Sequence, residues 1–275
     1  MNRFYVLALT VFLGVLLLQP DGVRCQDAEP VKDNSFLIEE AYNQPAGVVQ
    51  HIGTVQHFAS PARFWGVAYT TEIPLSGMRH QLSWTVPFEA EGRGKSLELT
   101  DLAFHYRYQA LTGARGIAVS PRVSVILTQG DGAEPVSQDF ALQVNLPVSV
   151  ELFDGIVFHA NAGGTFAPAA EVDFLFDEFP PINRDLKSYF AGGSFVWLAH
   201  SNVNALCEVL YNYIANVGED REIVHASETI VNPGIRFAIN KPIGQFVPGI
   251  GIPIRMSEGE TDIGIFGYLS FEHSL

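Results

Sequence analysis

From residue 47 onward the sequence predicts an all-β chain. The expected fold is a membrane-spanning antiparallel β-barrel of about twelve strands, preceded by a short N-terminal periplasmic segment. Three observations predict it. Apolar residues recur with a period of two. The alternating runs are longer than the roughly 5–6 residues of an average soluble strand and suit the roughly 9–11 of a tilted membrane strand. The connections between them alternate between short and long, as the turns and outer loops of such barrels do.

Residues 1–25 read as a cleaved secretory signal peptide. Arg3 supplies the positive start, Phe4 to Leu18 is an apolar run of 15 residues, and Gln19 and Pro20 end it. That length suits a signal core and is short for a spanning helix. A lipoprotein anchored at Cys25 is the other reading, which Arg24 directly before the cysteine fits poorly. No later run approaches 18 continuous apolar residues, which excludes a helical inner-membrane protein.

Residues 26–46 do not alternate. Asn34 is placed to cap a short helical turn through Phe36–Tyr42, ended by Pro45 and Gly47. Two readings of this segment stand open, a plug entering the barrel from the periplasmic side and a disordered lead-in.

The barrel proper is assigned to 47–275. The alternation is plain in Asp139 to Val150, where Phe140, Leu142, Val144, Leu146, Val148 and Val150 share one face. It is as plain in Asp101 to Ala110, where Leu102, Phe104, Tyr106 and Tyr108 alternate with Ala103, His105, Arg107 and Gln109. Breaks read as turns give strands at 47–58, 62–74, 79–90, 96–111, 117–129, 138–150, 154–166, 187–200, 202–216, 228–240, 244–257 and 262–273. One set of connections stays at five residues or fewer, while the other reaches twenty at 167–186. Closure follows from physics: an open edge in lipid leaves backbone N–H and C=O groups without partners. An even strand number puts both termini on the periplasmic side. Trp84, Tyr106, Tyr108, Trp197, Tyr211 and Tyr213 suit either interfacial girdles or ordinary packing on the apolar face.

Composition narrows the function classes. The 275-residue chain is 47% hydrophobic, has 16 Lys and Arg, and carries a net charge of -14. That balance argues against nucleic acid, whose phosphates need basic residues to replace counterions, and against a protein held on anionic lipid by basic residues. With Cys25 in the signal, Cys207 stands alone and forms no internal disulfide. The histidines show no tight metal spacing; His51 and His57 share a strand face but bring no third ligand. No metal and no cofactor is expected.

The stretch Ser35-Phe-Leu-Ile-Glu-Glu-Ala-Tyr-Asn-Gln-Pro-Ala-Gly-Val-Val-Gln-His-Ile52 resembles the opening of an outer-membrane family named after the meta-pathway of phenol degradation. Pro121-Arg-Val-Ser-Val-Ile-Leu-Thr-Gln-Gly-Asp131 is similar to a later part of the same pattern. The resemblance extends over most of 35–275. It implies a barrel channel or transporter for passive uptake of small, hydrophobic or aromatic, solutes. The chain departs from many outer-membrane barrels in ending on Leu275, with Phe271 four positions earlier.

Candidate lumen or constriction residues are the charges that alternate with apolar neighbours: Glu89, Glu98, Asp101, Arg107, Arg122, Glu208, Arg236 and Arg255. Fixed charges on an inner face sort solutes, and they also pair with one another to fill a narrow lumen. Phe174, Phe176 and Phe179 are loop candidates, odd in a segment expected to be solvated. The acidic outer loops at 167–186, 217–227 and 258–261 suggest divalent cations bridging to lipopolysaccharide, beside a plain solubility role. His200-Ser201 invites a lipid-hydrolase reading, but neighbours on a strand point to opposite faces. The expectation is an outer-membrane channel with no bond-making chemistry and no nucleic-acid partner. A non-conducting structural or adhesive barrel is the alternative. Its partners would be outer-membrane lipid, lipopolysaccharide and small solutes.

Overall fold

The computed structural model describes residues 35–59, 63–92, 94–112, 116–127, 136–137, 140–172, 182–218 and 220–275. The segment read as a signal peptide lies outside them.

Among the described residues there are no helices, and nineteen hydrogen-bonded segments form one sheet. They merge into twelve barrel strands. β1 is Val48–Phe58, β2 Phe64–Ser76 and β3 His80–Glu91. β4 comprises Glu98–Leu99, Leu102–Tyr108 and Leu111–Thr112, and β5 comprises Ile117–Val119 and Arg122–Leu127. β6 comprises Val136–Ser137, Ala141–Asn145 and Val148–Phe153. β7 is Ile156–Val172, β8 Ile182–His200 and β9 Val203–Val217. β10 comprises Ile223–Phe237 and Ile239–Lys241, β11 Gly244–Gly251 and Ile254–Ser257, and β12 is Glu260–Ser274. Neighbours in the chain pair antiparallel, and β1 pairs with β12 from Val48↔Ser274 to Phe58↔Gly264. The sheet is therefore a closed barrel without a free edge.

The breaks inside strands have a local cause. β5, β6 and β11 are interrupted next to Pro121, Pro147 and Pro253, which have no N–H for the ladder. Their carbonyls still accept from the amides of Tyr108 (3.0 Å), Ser120 (3.1 Å) and Gly264 (2.8 Å), so the wall stays continuous. At Glu258–Gly259 both residues have positive φ (50° and 86°), the geometry of a two-residue hairpin turn that follows strand twist.

Burial is inverted relative to a soluble protein. Gln50, Ser149, His159, Ser194, Glu208 and Asn232 are fully buried, while Phe104, Phe195, Trp197, Ile263 and Ile265 are at least half exposed. The alternation of the strands sends one set inward and the other outward. Desolvated polar groups inside and apolar groups outside suit a hydrocarbon surround.

Three sequence expectations need correction. Residues 167–186 are not one long loop: β7 runs to Val172 and β8 starts at Ile182, paired through Ala167↔Leu186, Ala170↔Arg184 and Val172↔Ile182. Likewise β10 starts at Ile223, opposite Val217, so 223–227 are strand. β8 has 19 residues. At about 3.3 Å per residue it far exceeds an apolar band about 25 Å tall, even when tilted. This hairpin projects beyond such a band, and there the pattern reverses: Asn183, Asp185 and Lys187 are exposed, while Ala167, Ala170 and Leu186 pack in a buried apolar cluster. The helical turn at Phe36–Tyr42 is also absent. Its backbone amides turn to side chains on the barrel wall instead of to carbonyls of their own segment.

Candidate functional site

Residues 35–46 run inside the barrel, near the end that carries Val48 and Ser274. Ile38, Glu40, Ala41, Asn43 and Gln44 are buried there. The segment has no secondary-structure partner of its own, so its N–H groups must be satisfied by the wall. Inward-facing side chains do this in succession around the barrel. Glu208 on β9 takes three amides on one oxygen, Phe36 at 2.9 Å, Leu37 at 2.9 Å and Ile38 at 3.1 Å. Asn161 on β7 accepts from Glu39 (2.8 Å), Ser149 on β6 from Ala41 (2.8 Å) and Gln109 on β4 from Asn43 (2.7 Å). Gln81 on β3 accepts from Gln44 (2.7 Å), whose side chain donates to Gln50 on β1 (2.7 Å).

Phe36 anchors the start of this strap. Its ring lies 5.3 Å from both Phe266 and Tyr268 on β12. It also rests where a Cβ on Gly234 or Gly249 would stand, 2.5 and 2.7 Å from the ring. Those two glycines make room for an aromatic ring inside the wall.

Arg107 on β4 fastens the middle. Its guanidinium donates to Asn43 Oδ1 (3.0 Å) and to the carbonyls of Glu40 (3.2 Å) and Tyr42 (2.9 Å). It forms ion pairs with Glu40 (3.7 Å) and Glu72 (3.5 Å). Arg122 on β5 stands directly opposite Arg107 in the ladder. Like charges across a strand pair repel; here Glu39 on the strap offsets them, at 3.0 Å from Arg122. Arg122 also donates to Gln143 on β6 (2.5 Å).

Between strap and wall lies a cavity of about 250 Å³. Glu39, Glu40, Glu72, His105, Arg107 and Arg122 give it a charged side. Phe36, Ile52 and Tyr268 give it an apolar one.

Solved structures share this architecture. The COG4313 outer membrane channel from Pseudomonas putida F1 superposes with a TM-score of 0.57 at 10% identity, covering 92% of this chain and 100% of that one. The fold is that of an outer-membrane β-barrel. The NanC porin gives a TM-score of 0.53 at 9% identity over 81% of this chain and 98% of that one. The translocator domain of autotransporter NalP from Neisseria meningitidis gives 0.50 at 10% identity over 84% and 90%. No protein-family model and no curated protein sequence matches the chain.

The sequence-named charges divide by place. Arg107 and Arg122 face the cavity, and Glu208 lies against the strap. Arg236 is buried on the inner side of β10. Arg255 pairs with Asp262 at 3.0 Å and lies 4.3 Å over the Phe58 ring, apart from the others. Glu89 and Glu98 stand opposite each other in the β3–β4 ladder and are exposed, and Asp101 is half-buried beyond them. Phe174, Phe176 and Phe179 lie outside the described residues. The partners Gln81, Gln109, Ser149 and Asn161 carry no charge, so only the shared period of two marks them in the sequence. Ser201 sits in the turn after β8, not on the strand, and its Oγ reaches 3.2 Å from His200 Nδ1. Among the described residues no carboxylate meets that ring to orient it.

Proposed function

We propose that the chain is an outer-membrane channel for passive uptake of small solutes, a member of the family it resembles in sequence. The observation that carries this reading is the closed barrel whose charged cavity is bounded on one side by an internal strap. Fixed charges of both signs beside apolar rings suit a small solute with a polar group on an apolar or aromatic body. The likeness to outer-membrane channels supports the architecture such a role needs. The outer-membrane location, contact with lipopolysaccharide through the acidic loops, and the aromatic solute belong to the same proposal. Reconstitution in planar bilayers tests it, with liposome uptake of a panel of aromatic, lipid-like and sugar solutes. Discrete openings and preferential uptake of substituted aromatics are expected.

A second reading is favoured by one observation, the hydrogen bonds that tie residues 35–46 around the wall. It is a closed, structural or adhesive barrel. A folded barrel that stays silent in the bilayer and passes no solute would establish it and overturn the channel.

A further inference from the structure

The outer face carries a pair of histidines at the seam where the barrel closes. His51 on β1 and His273 on β12 share strand parity with the exposed Val55, Ile263 and Ile265, so both face away from the lumen. Their Nε2 atoms lie 3.2 Å apart. Each ring is held from its other nitrogen. His51 Nδ1 is 2.7 Å from Tyr69 Oη on β2, and His273 Nδ1 is 3.0 Å from the Ser274 carbonyl. The rings stack at 5.3 Å, and Phe271 flanks both of them at 6.4 and 5.3 Å.

The Ser274 carbonyl only accepts, so a neutral His273 ring that bonds to it carries its proton on Nδ1 and turns the Nε2 lone pair toward His51. One arrangement without metal satisfies every atom: Tyr69 donates to His51 Nδ1, and His51 Nε2–H donates to His273. If the His51 proton moves to Nδ1 and is donated to Tyr69 Oη, two Nε2 lone pairs converge on one point. Two zinc–imidazole bonds of about 2.0–2.1 Å place their nitrogens about 2.9 Å apart at a right angle and about 3.4 Å apart at the tetrahedral angle. The observed spacing falls between those limits. Oxygen partners on the far nitrogens are what histidine ligands use to fix their tautomer.

We propose that His51 and His273 form a two-histidine site for a late first-row divalent cation, zinc above all, which clips the first strand to the last. Water completes the coordination, and no net proton leaves neutral rings on binding. Imidazole suits zinc, copper and nickel over magnesium or calcium. Because the two ligands come from the strands that close the barrel, the ion binds the folded form and not the open chain.

The test titrates the folded, detergent-purified barrel with zinc ion alone, then magnesium, and counts bound metal by elemental analysis after desalting. One zinc per barrel is expected, absent in His51→Gln and in His273→Gln, and about tenfold weaker in Tyr69→Phe. The unfolding temperature should rise with the logarithm of zinc concentration in the unaltered barrel, and not in either histidine variant. Failure of the unaltered barrel to bind zinc overturns the proposal whether or not the variants fold. So does a bound zinc that survives in both folded variants, or binding without any rise in unfolding temperature.

Discussion

Glu208 is the residue on which the strap depends most. The fully buried Glu208 carboxyl accepts four hydrogen bonds, three from consecutive amides and one from Asn232 Nδ2 at 2.9 Å, which offset part of the cost of its desolvation. Hydrogen bonds to a charged group contribute about 1.5–3 kcal/mol each, and donors left unpaired cost a comparable amount. Glu208→Ala leaves those amides without their acceptor, so residues 36–38 should lose hydrogen-exchange protection while the wall strands keep theirs. Unchanged protection at 36–38 would show that the wall holds the strap elsewhere. Arg107 acts through charge as well as hydrogen bonds. Arg107→Gln keeps donors but leaves Glu39, Glu40 and Glu72 facing Arg122 alone. If the barrel conducts, its reversal potential in a salt gradient should shift toward cation preference. A shift toward anions would exclude these residues from the ion path.

At the scale of elements, the strap is seated by shape as much as by hydrogen bonds. The atoms nearest a Cβ on Gly249 would be those of the Phe36 ring at 2.7 Å, followed by Arg236 Cβ at 3.2 Å. Gly249→Ala should therefore displace Phe36 while β11 keeps its pairing. Single-channel conductance should rise, and Phe36→Ala should give the same rise by removing the ring instead. A barrel that folds but conducts as before in both variants would show that the strap does not limit passage. The strands themselves were legible because one face meets lipid and the other the lumen, which forces a period of two through Leu142, Val144 and Leu146. The upper parts of β7 and β8 were not legible, because beyond the apolar band the pattern reverses: polar Asn183 and Asp185 are exposed and small apolar Ala167 and Ala170 are buried with Leu186. The strap was legible only as a stretch without alternation. Its contacts run from backbone amides to Gln81, Gln109, Ser149 and Asn161, and amides leave no mark in a sequence. The inward charges Arg107, Arg122, Glu208 and Arg236 could be found by parity, but their partners Glu39 and Glu40 lie on the strap, which has no parity to read.

For the whole molecule, the inversion of burial makes one prediction that neighbouring residues must answer in opposite ways. Thr54 and Val55 are adjacent near the middle of β1; Thr54 lines the cavity, and Val55 is 42% exposed on the outer face. In a soluble sandwich an exposed valine tolerates arginine and a side chain inside the structure does not. Here the order reverses. An arginine on the lipid face near the bilayer midplane costs about 2–4 kcal/mol, so Val55→Arg should lower barrel stability by that amount in urea unfolding from lipid vesicles. Thr54→Arg places its guanidinium in a cavity where Glu39, Glu40 and Glu72 stand beside Arg107 and Arg122. Its stability should stay close to that of the unaltered barrel, and its effect should appear in solute or ion selectivity. The same pair measured in detergent should differ less, since a micelle adapts around a charge more readily than a bilayer does. If Thr54→Arg proves the more destabilising in lipid, the face assigned to the lumen is the one against hydrocarbon, and the channel reading falls with it.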